Sequence, residues 1–149
     1  MKIESVKINW IIDEYPDLSW LETELEDGKI LSSCRYTQKD YDNNPEQVEN
    51  WIRQDTQRLR EYGQYWCMYG CMAESVVSYP ISKQGDRRLE TLTSGGLWGI
   101  ESDSDESYKT EVAKEQLEDL KSHLKQFNIK ISKKAERLFN EALESMQTP

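Results

Sequence analysis

Four sets of side chains in this sequence have types and spacings that chemistry could use. The first is Gly95-Gly96 with Gly99, glycines of the kind whose backbone amides cradle phosphate at a helix start. No Lys-Ser or Lys-Thr pair follows them, and Glu101, Asp103, Asp105 and Glu106 bring negative charge to the place an anion would occupy, so a phosphate cradle fails. The second is Asp103, Asp105 and Ser107 at alternate positions with Glu111 in the ninth place, which opens as a calcium loop does. It then departs: Tyr108 stands where the sharp-turn glycine is wanted and Lys114 where the bidentate glutamate belongs. The third is the trio of cysteines, in which Cys67-x3-Cys71 lacks a second Cys or His pair and Cys34 alone cannot complete a tetrahedral metal site. Buried structural thiols are the expectation. The fourth is His123, the one histidine, which sits between Leu120 and Phe127 on a helical repeat with no identifiable nucleophile beside it. No catalytic residue, metal site or cofactor is therefore assigned.

What remains is a binding surface. Trp98 and Tyr108 flank Glu101, Asp103, Asp105 and Glu106, and aromatic anchors in a polar setting are characteristic of protein interfaces. Leu97, Trp98 and Ile100 are too apolar for an ordinary loop and are expected to dock on the core, with the glycines turning the chain around them. The charge pattern points the same way. The chain carries −9, of which residues 1–30 hold eight acids against three bases and residues 101–119 eight against two. A surface of this sign repels nucleic acid and anionic membrane and attracts a protein with a basic, nucleic-acid-binding surface. Acidity also serves plain solubility. A face that imitates a phosphate backbone is the functional version of the same feature.

The run Thr91-Leu92-Thr93-Ser94-Gly95-Gly96-Leu97-Trp98-Gly99-Ile100-Glu101-Ser102-Asp103-Ser104-Asp105-Glu106-Ser107-Tyr108, with Trp66-Cys67-Met68 before it, Glu115-Gln116-Leu117 after it and Pro16-Asp17-Leu18-Ser19-Trp20-Leu21 near the start, resembles a recurrent family of short acidic bacterial proteins. The likeness covers most of the chain. It implies no assigned activity and no catalytic residues; it implies a setting on phage, plasmids or other mobile elements, and hence a part in the contest between mobile DNA and host defence.

The elements that must position these residues follow from periodicity. At 149 residues the chain fits one acidic domain, 1–149, with a single core. Strands are expected over Lys2–Asp13, Lys29–Tyr36, Tyr65–Tyr79 and Arg87–Thr93. The third is apolar on both sides and so reads as a central strand covered on each face, with the hairpin it makes with the fourth at the middle of the sheet. Residues 18–25 read as a short turn or an irregular segment, Asp27-Gly28 as a turn and Lys39–Asn44 as a polar loop. Asn44-Pro45-Glu46-Gln47 starts a helix that Gly63 ends. A second helix begins near Asp105 and ends at Asn128, and Ser132 caps a third whose first-turn bases Lys133, Lys134 and Arg137 are expected to meet carboxylates. The fold class is α+β: a mainly antiparallel sheet with about three helices packed on it. Three thiols and a charged, signal-free start indicate a reducing cytoplasmic setting, and no apolar run approaches the roughly 20 residues that cross a bilayer.

These readings converge on a non-catalytic protein-binding protein, an inhibitor of a bacterial defence complex of the anti-CRISPR or anti-restriction type. Two alternatives stand beside it. One is a divalent-metal-dependent regulator or small enzyme using the Asp-rich loop 101–107; the other is a housekeeping or immunity protein. The sequence leaves the oligomeric state open.

Overall fold

In chain order the strands are β1 (Lys2–Ile12), β2 (Thr23–Glu26), β3 (Lys29–Ser33), β4 (Met68–Pro80), β5 (Arg87–Thr93) and β6 (Leu97–Glu101), and the α-helices are α1 (Gln38–Asn43), α2 (Pro45–Glu61), α3 (Glu106–Gln126) and α4 (Lys133–Glu144). The computed structural model describes every residue from Met1 to Pro149. It is an α+β fold in which every strand pairing is antiparallel. The single domain expected over 1–149 divides into two compact units, one of Met1–Asp13 with Met68–Pro149 and one of Glu14–Cys67.

The larger unit is organised by β4. One edge of β4 pairs with β1, and the other pairs with β5 along one half and β6 along the other. β4 is thus the central strand expected, while β5 lies at the margin of the sheet. Ala73 and Val77 of β4, with Ile3 of β1, face Leu117, Leu120 and Leu124 of α3 and Ala135 and Phe139 of α4. Nearer the other end, Cys71 and Ile100 meet Val112 and Ala113. Burying each large side chain here is worth about 1.5–3 kcal/mol. The opposite side of β4 is less covered than its composition suggests. Met72, Glu74 and Val76 are only half-buried, because both helices of this unit lie on the Ala73 side.

The smaller unit is inserted between β1 and β4. β2 and β3 form a hairpin closed at Asp27-Gly28, with Glu26 opposite Lys29. Gln38 fastens that turn: its side chain accepts from the Ile30 amide at 2.9 Å and donates to the Gly28 carbonyl at 3.0 Å. The expected polar loop around residue 40 is helix α1 because Thr37 and Asp40 form a reciprocal capping box. Residues 18–25, expected to form a short turn or an irregular segment, contain a 3-10 turn at Ser19–Leu21, as the first of those readings has it, and also the start of β2. α2 starts as its signal requires, with Asn44 Oδ1 accepting from the Gln47 amide at 3.3 Å and Pro45 in the first turn. Its other end explains why β4 begins at Met68 and not at Tyr65. Trp66 is 3% exposed, its indole N–H donates to the Arg58 carbonyl at 2.7 Å and the Arg58 guanidinium lies 4.0 Å from the ring centre, so this residue belongs to α2's packing.

Residues 14–67 hold twelve acids against six bases and so carry −6 of the chain's −9. At α4, Ser132 Oγ accepts from the Ala135 amide at 3.2 Å, as a cap should. The carboxylate partners expected for Lys133, Lys134 and Arg137 are not there; the ion pair at this helix start joins Glu136 to Lys121 at 3.3 Å.

Two outcomes test this packing. Leu120→Ala, at a position with 0% exposure, is expected to lower the unfolding free energy by about 3 kcal/mol in urea titration, whereas Leu89→Ala at 63% exposure changes it little. In thiol labelling, exposed Cys34 reacts first, and Cys71, whose thiol burial raises from 9.0 to about 12, reacts only on unfolding.

Candidate functional site

The junction between β5 and β6 is held by one row of side chains on α3. Ser94, 4% exposed, donates from Oγ to Gln116 Oε1 at 2.7 Å and accepts from the Ala73 amide at 2.9 Å. Gln116 Oε1 also accepts from the Gly96 amide at 3.0 Å, and Asp119 Oδ2 accepts from the Gly95 amide at 2.7 Å. One turn on, His123 Nδ1 lies 2.9 Å from the Thr93 carbonyl, with Nε2 3.7 Å from Asp119. The amides a phosphate would need are already occupied by protein oxygens, and His123 is spent on positioning the strand end.

β6 then carries a bulge. Tyr69 faces Ile100 and Cys71 faces Leu97, so β6 runs one residue longer than β4 over this interval, and Gly99 absorbs the extra residue at φ +77°. Trp98 and Ile100 therefore take opposite sides although they are two residues apart. Ile100 is 2% exposed in the core, as expected, but Trp98 and Leu97 are not docked there. The Trp98 ring lies flat on the backbone of Gly70, where a Cβ would come within 2.4 Å of it, and remains 50% exposed. This is the face of β4 away from α3.

The other proposed binding residues follow along the chain. Glu101 ends β6 half-buried, and Asp103 and Asp105 are exposed. Asp105 stands at the N-cap of α3 but makes no side-chain cap bond. Tyr108 is 49% exposed on the first turn of α3. Glu106 is the member whose role changes. Its carboxylate accepts from the Thr148 hydroxyl and, at 3.3 Å, from Lys109 Nζ, contacts that hold it below the usual glutamate range in that order of size. Lys109 is 2% exposed, and its ammonium completes its three bonds on the main-chain oxygens of Ser102 and Pro149 at 2.7 Å each. Glu106 thus balances a buried cation. No group of three or more His, Cys, Asp or Glu side chains converges in the way a metal site needs.

A second constellation, absent from the sequence reading, lies within residues 14–67. The Arg35 guanidinium stands 5.5 Å from the Trp20 ring centre and 5.6 Å from that of Tyr36. Tyr36 in turn stacks on Trp51 at 6.1 Å with 13° between the planes. Asp55, 8% exposed, fixes both central rungs, accepting from Arg35 Nη1 at 2.6 Å and from the Tyr36 hydroxyl at 2.8 Å. The four rungs come from three segments, so no spacing rule reveals them. The one local hint is that Trp51 and Asp55 are four apart, on one face of α2.

Comparison of the chain with family models, curated proteins and solved structures finds no match in any of the three. The geometry itself describes two rigidly supported aromatic rings, Trp98 on the backbone of Gly70 and Trp51 at the end of a stacked ladder.

If the Trp98 ring is held by Gly70, Gly70→Ala should cost about 1 kcal/mol in the parent and nearly nothing in a Trp98→Ala background, a coupling read by a double-mutant cycle. Tyr36 also contributes to the alkaline limb of stability. Tyr36 is raised from 10.0 to about 12, by burial first and by the Asp55 contact second. The unfolded phenol loses its proton from about 10 upward while the folded one keeps it, so stability present below pH 10 falls between 10 and 12. Urea midpoints measured across that range should decline, and the decline should be shallower in Tyr36→Phe.

Proposed function

We propose that this chain is a non-catalytic binding protein that occupies a basic, nucleic-acid-binding surface of a protein partner. In keeping with the family it resembles, we take the partner to be a bacterial defence complex and the outcome to be inhibition. The observation that carries the reading is the half-exposed indole of Trp98, seated on Gly70 in a strand that ends at Glu101 and is followed by Asp103 and Asp105. An aromatic ring already fixed in place loses little entropy on docking and slows release, while carboxylates around it speed encounter with a positive surface. The Gln116–Ser94 and Asp119–Gly95 bonds support this by holding the strand that carries the ring. No helix is long and apolar enough to cross a membrane, and three free thiols suit a cytoplasmic setting.

The test is capture of host proteins on the immobilised full chain, repeated with Asp103→Lys/Asp105→Lys and with Trp98→Ala. The expected result is retention of a basic protein that duplex DNA displaces, that added salt weakens, and that both variants lose by roughly tenfold or more. Equal retention by the parent and both variants would remove this surface from the mechanism. Glu106 is left out of the charge reversal because its substitution would also strand the Lys109 ammonium.

A further inference from the structure

We propose that Trp51 is a second docking point, one that takes the guanidinium of an arginine side chain on the partner. The inference rests on the partner being basic, as proposed above, and adds the residue and the chemical group. The ladder Trp20, Arg35, Tyr36, Trp51 alternates ring and cation before it ends in two rings, and its last ring is 43% exposed on α2. A planar cation is what continues it. Aromatic faces attract cations, and this unit already holds one guanidinium against two rings at 5.5 and 5.6 Å.

The surroundings favour the same occupant. Arg35 offers little repulsion, since its charge is matched by Asp55 at 2.6 Å. Two clefts flank the Tyr36–Trp51 stack, of about 370 and 300 Å³, a size that suits single side chains. The first is rimmed by Asp40 and Asn43 and the second by Gln54, so acceptors for guanidinium N–H groups stand on both sides. Arginine suits the site better than lysine because a planar fork can stack and bond at its edges together. A nucleobase could stack on the same ring, but its phosphates would meet a unit carrying twelve acids against six bases. The ladder is locked by the Tyr36–Asp55 bond at 2.8 Å, so the site needs no rearrangement to receive its ligand.

The experiment is an NMR titration of the isotopically labelled full chain with an oligo-arginine peptide, an oligo-lysine peptide and an oligothymidylate, the Trp51 indole signal being assigned with Trp51→Phe. The expected result is a saturable shift at Trp51 and Tyr36 with the arginine peptide, weaker with lysine, and a loss of affinity of roughly fivefold in Trp51→Ala. Should the arginine peptide move only residues 101–108, the Trp51 site is overturned while the acidic surface beside Trp98 stands. A response at Trp51 with 101–108 silent supports this site and counts against that surface. Silence at both rejects both, and a saturable response at Trp51 to the oligothymidylate alone would replace arginine docking with base stacking.

Discussion

The hydrogen bonds of one buried hydroxyl, Ser94, decide the layout of the larger unit. Its oxygen accepts from the Ala73 amide in β4 and its proton goes to Gln116 in α3, so three elements meet at one side chain. Losing it would leave the buried Ala73 amide without a partner, a penalty of about 1–3 kcal/mol, and would leave Gln116 held through the Gly96 amide alone. The consequence is topological as well as energetic. β5 and β6 must pair with the same edge of β4 in succession, and the chain between them must turn without drifting off the sheet. Gln116 and Asp119 hold the amides of Gly96 and Gly95 through that turn. Where β6 begins, where its bulge falls and which way Trp98 faces all follow from it.

Such dependence marks the limit of what could be read in advance. Two helix starts were legible, because a cap is a contact between residues three apart: Asn44 with Gln47 and Ser132 with Ala135 both form as their spacing implies, whereas the Thr37–Asp40 box of α1, at the same spacing, opens a run too polar to signal a helix. β5 was legible to the residue, and so was the α+β class. β6 was not, since Leu-Trp-Gly-Ile-Glu lacks alternation once a bulge puts Trp98 and Ile100 on opposite sides. Leu97-Trp98-x-Ile100 is too apolar for an ordinary loop and so points Trp98 to the core as readily as to an interface; only Gly70, far off in sequence, supplies the flat seat that lets it stay half in water. Tyr65–Cys67 read as strand by composition, yet Trp66 finds more to pack against in α2 than in the sheet.

The candidate site was legible in part for the same reason. Its residues were chosen as a contiguous acidic run, and contiguity cannot say which carboxylate is committed. Lys109 is two-hundredths exposed, and its charge must be answered; Glu106, three residues before it, answers. The charge arithmetic was also misleading as to place. The acidic segment 1–30 gains its excess wholly after residue 13, within the inserted unit, whereas 101–119 belongs to the other. The ladder of Trp20, Arg35, Tyr36 and Trp51 was out of reach altogether, being a product of tertiary folding in that inserted unit.

Salt sets the division of labour between charge and rings. At physiological ionic strength exposed charges act over about 8 Å, so carboxylates guide an approaching surface only in its last steps. Exposed ion pairs then contribute little to holding it, typically under about 1 kcal/mol each. Lasting contact needs area that is both apolar and immobile. The two half-exposed indoles meet that need by the same device in different units: Trp98 lies on the backbone of Gly70, and Trp51 lies on a tyrosine whose hydroxyl is tied to a buried carboxylate. In each, the order a partner would otherwise have to impose has been supplied by folding.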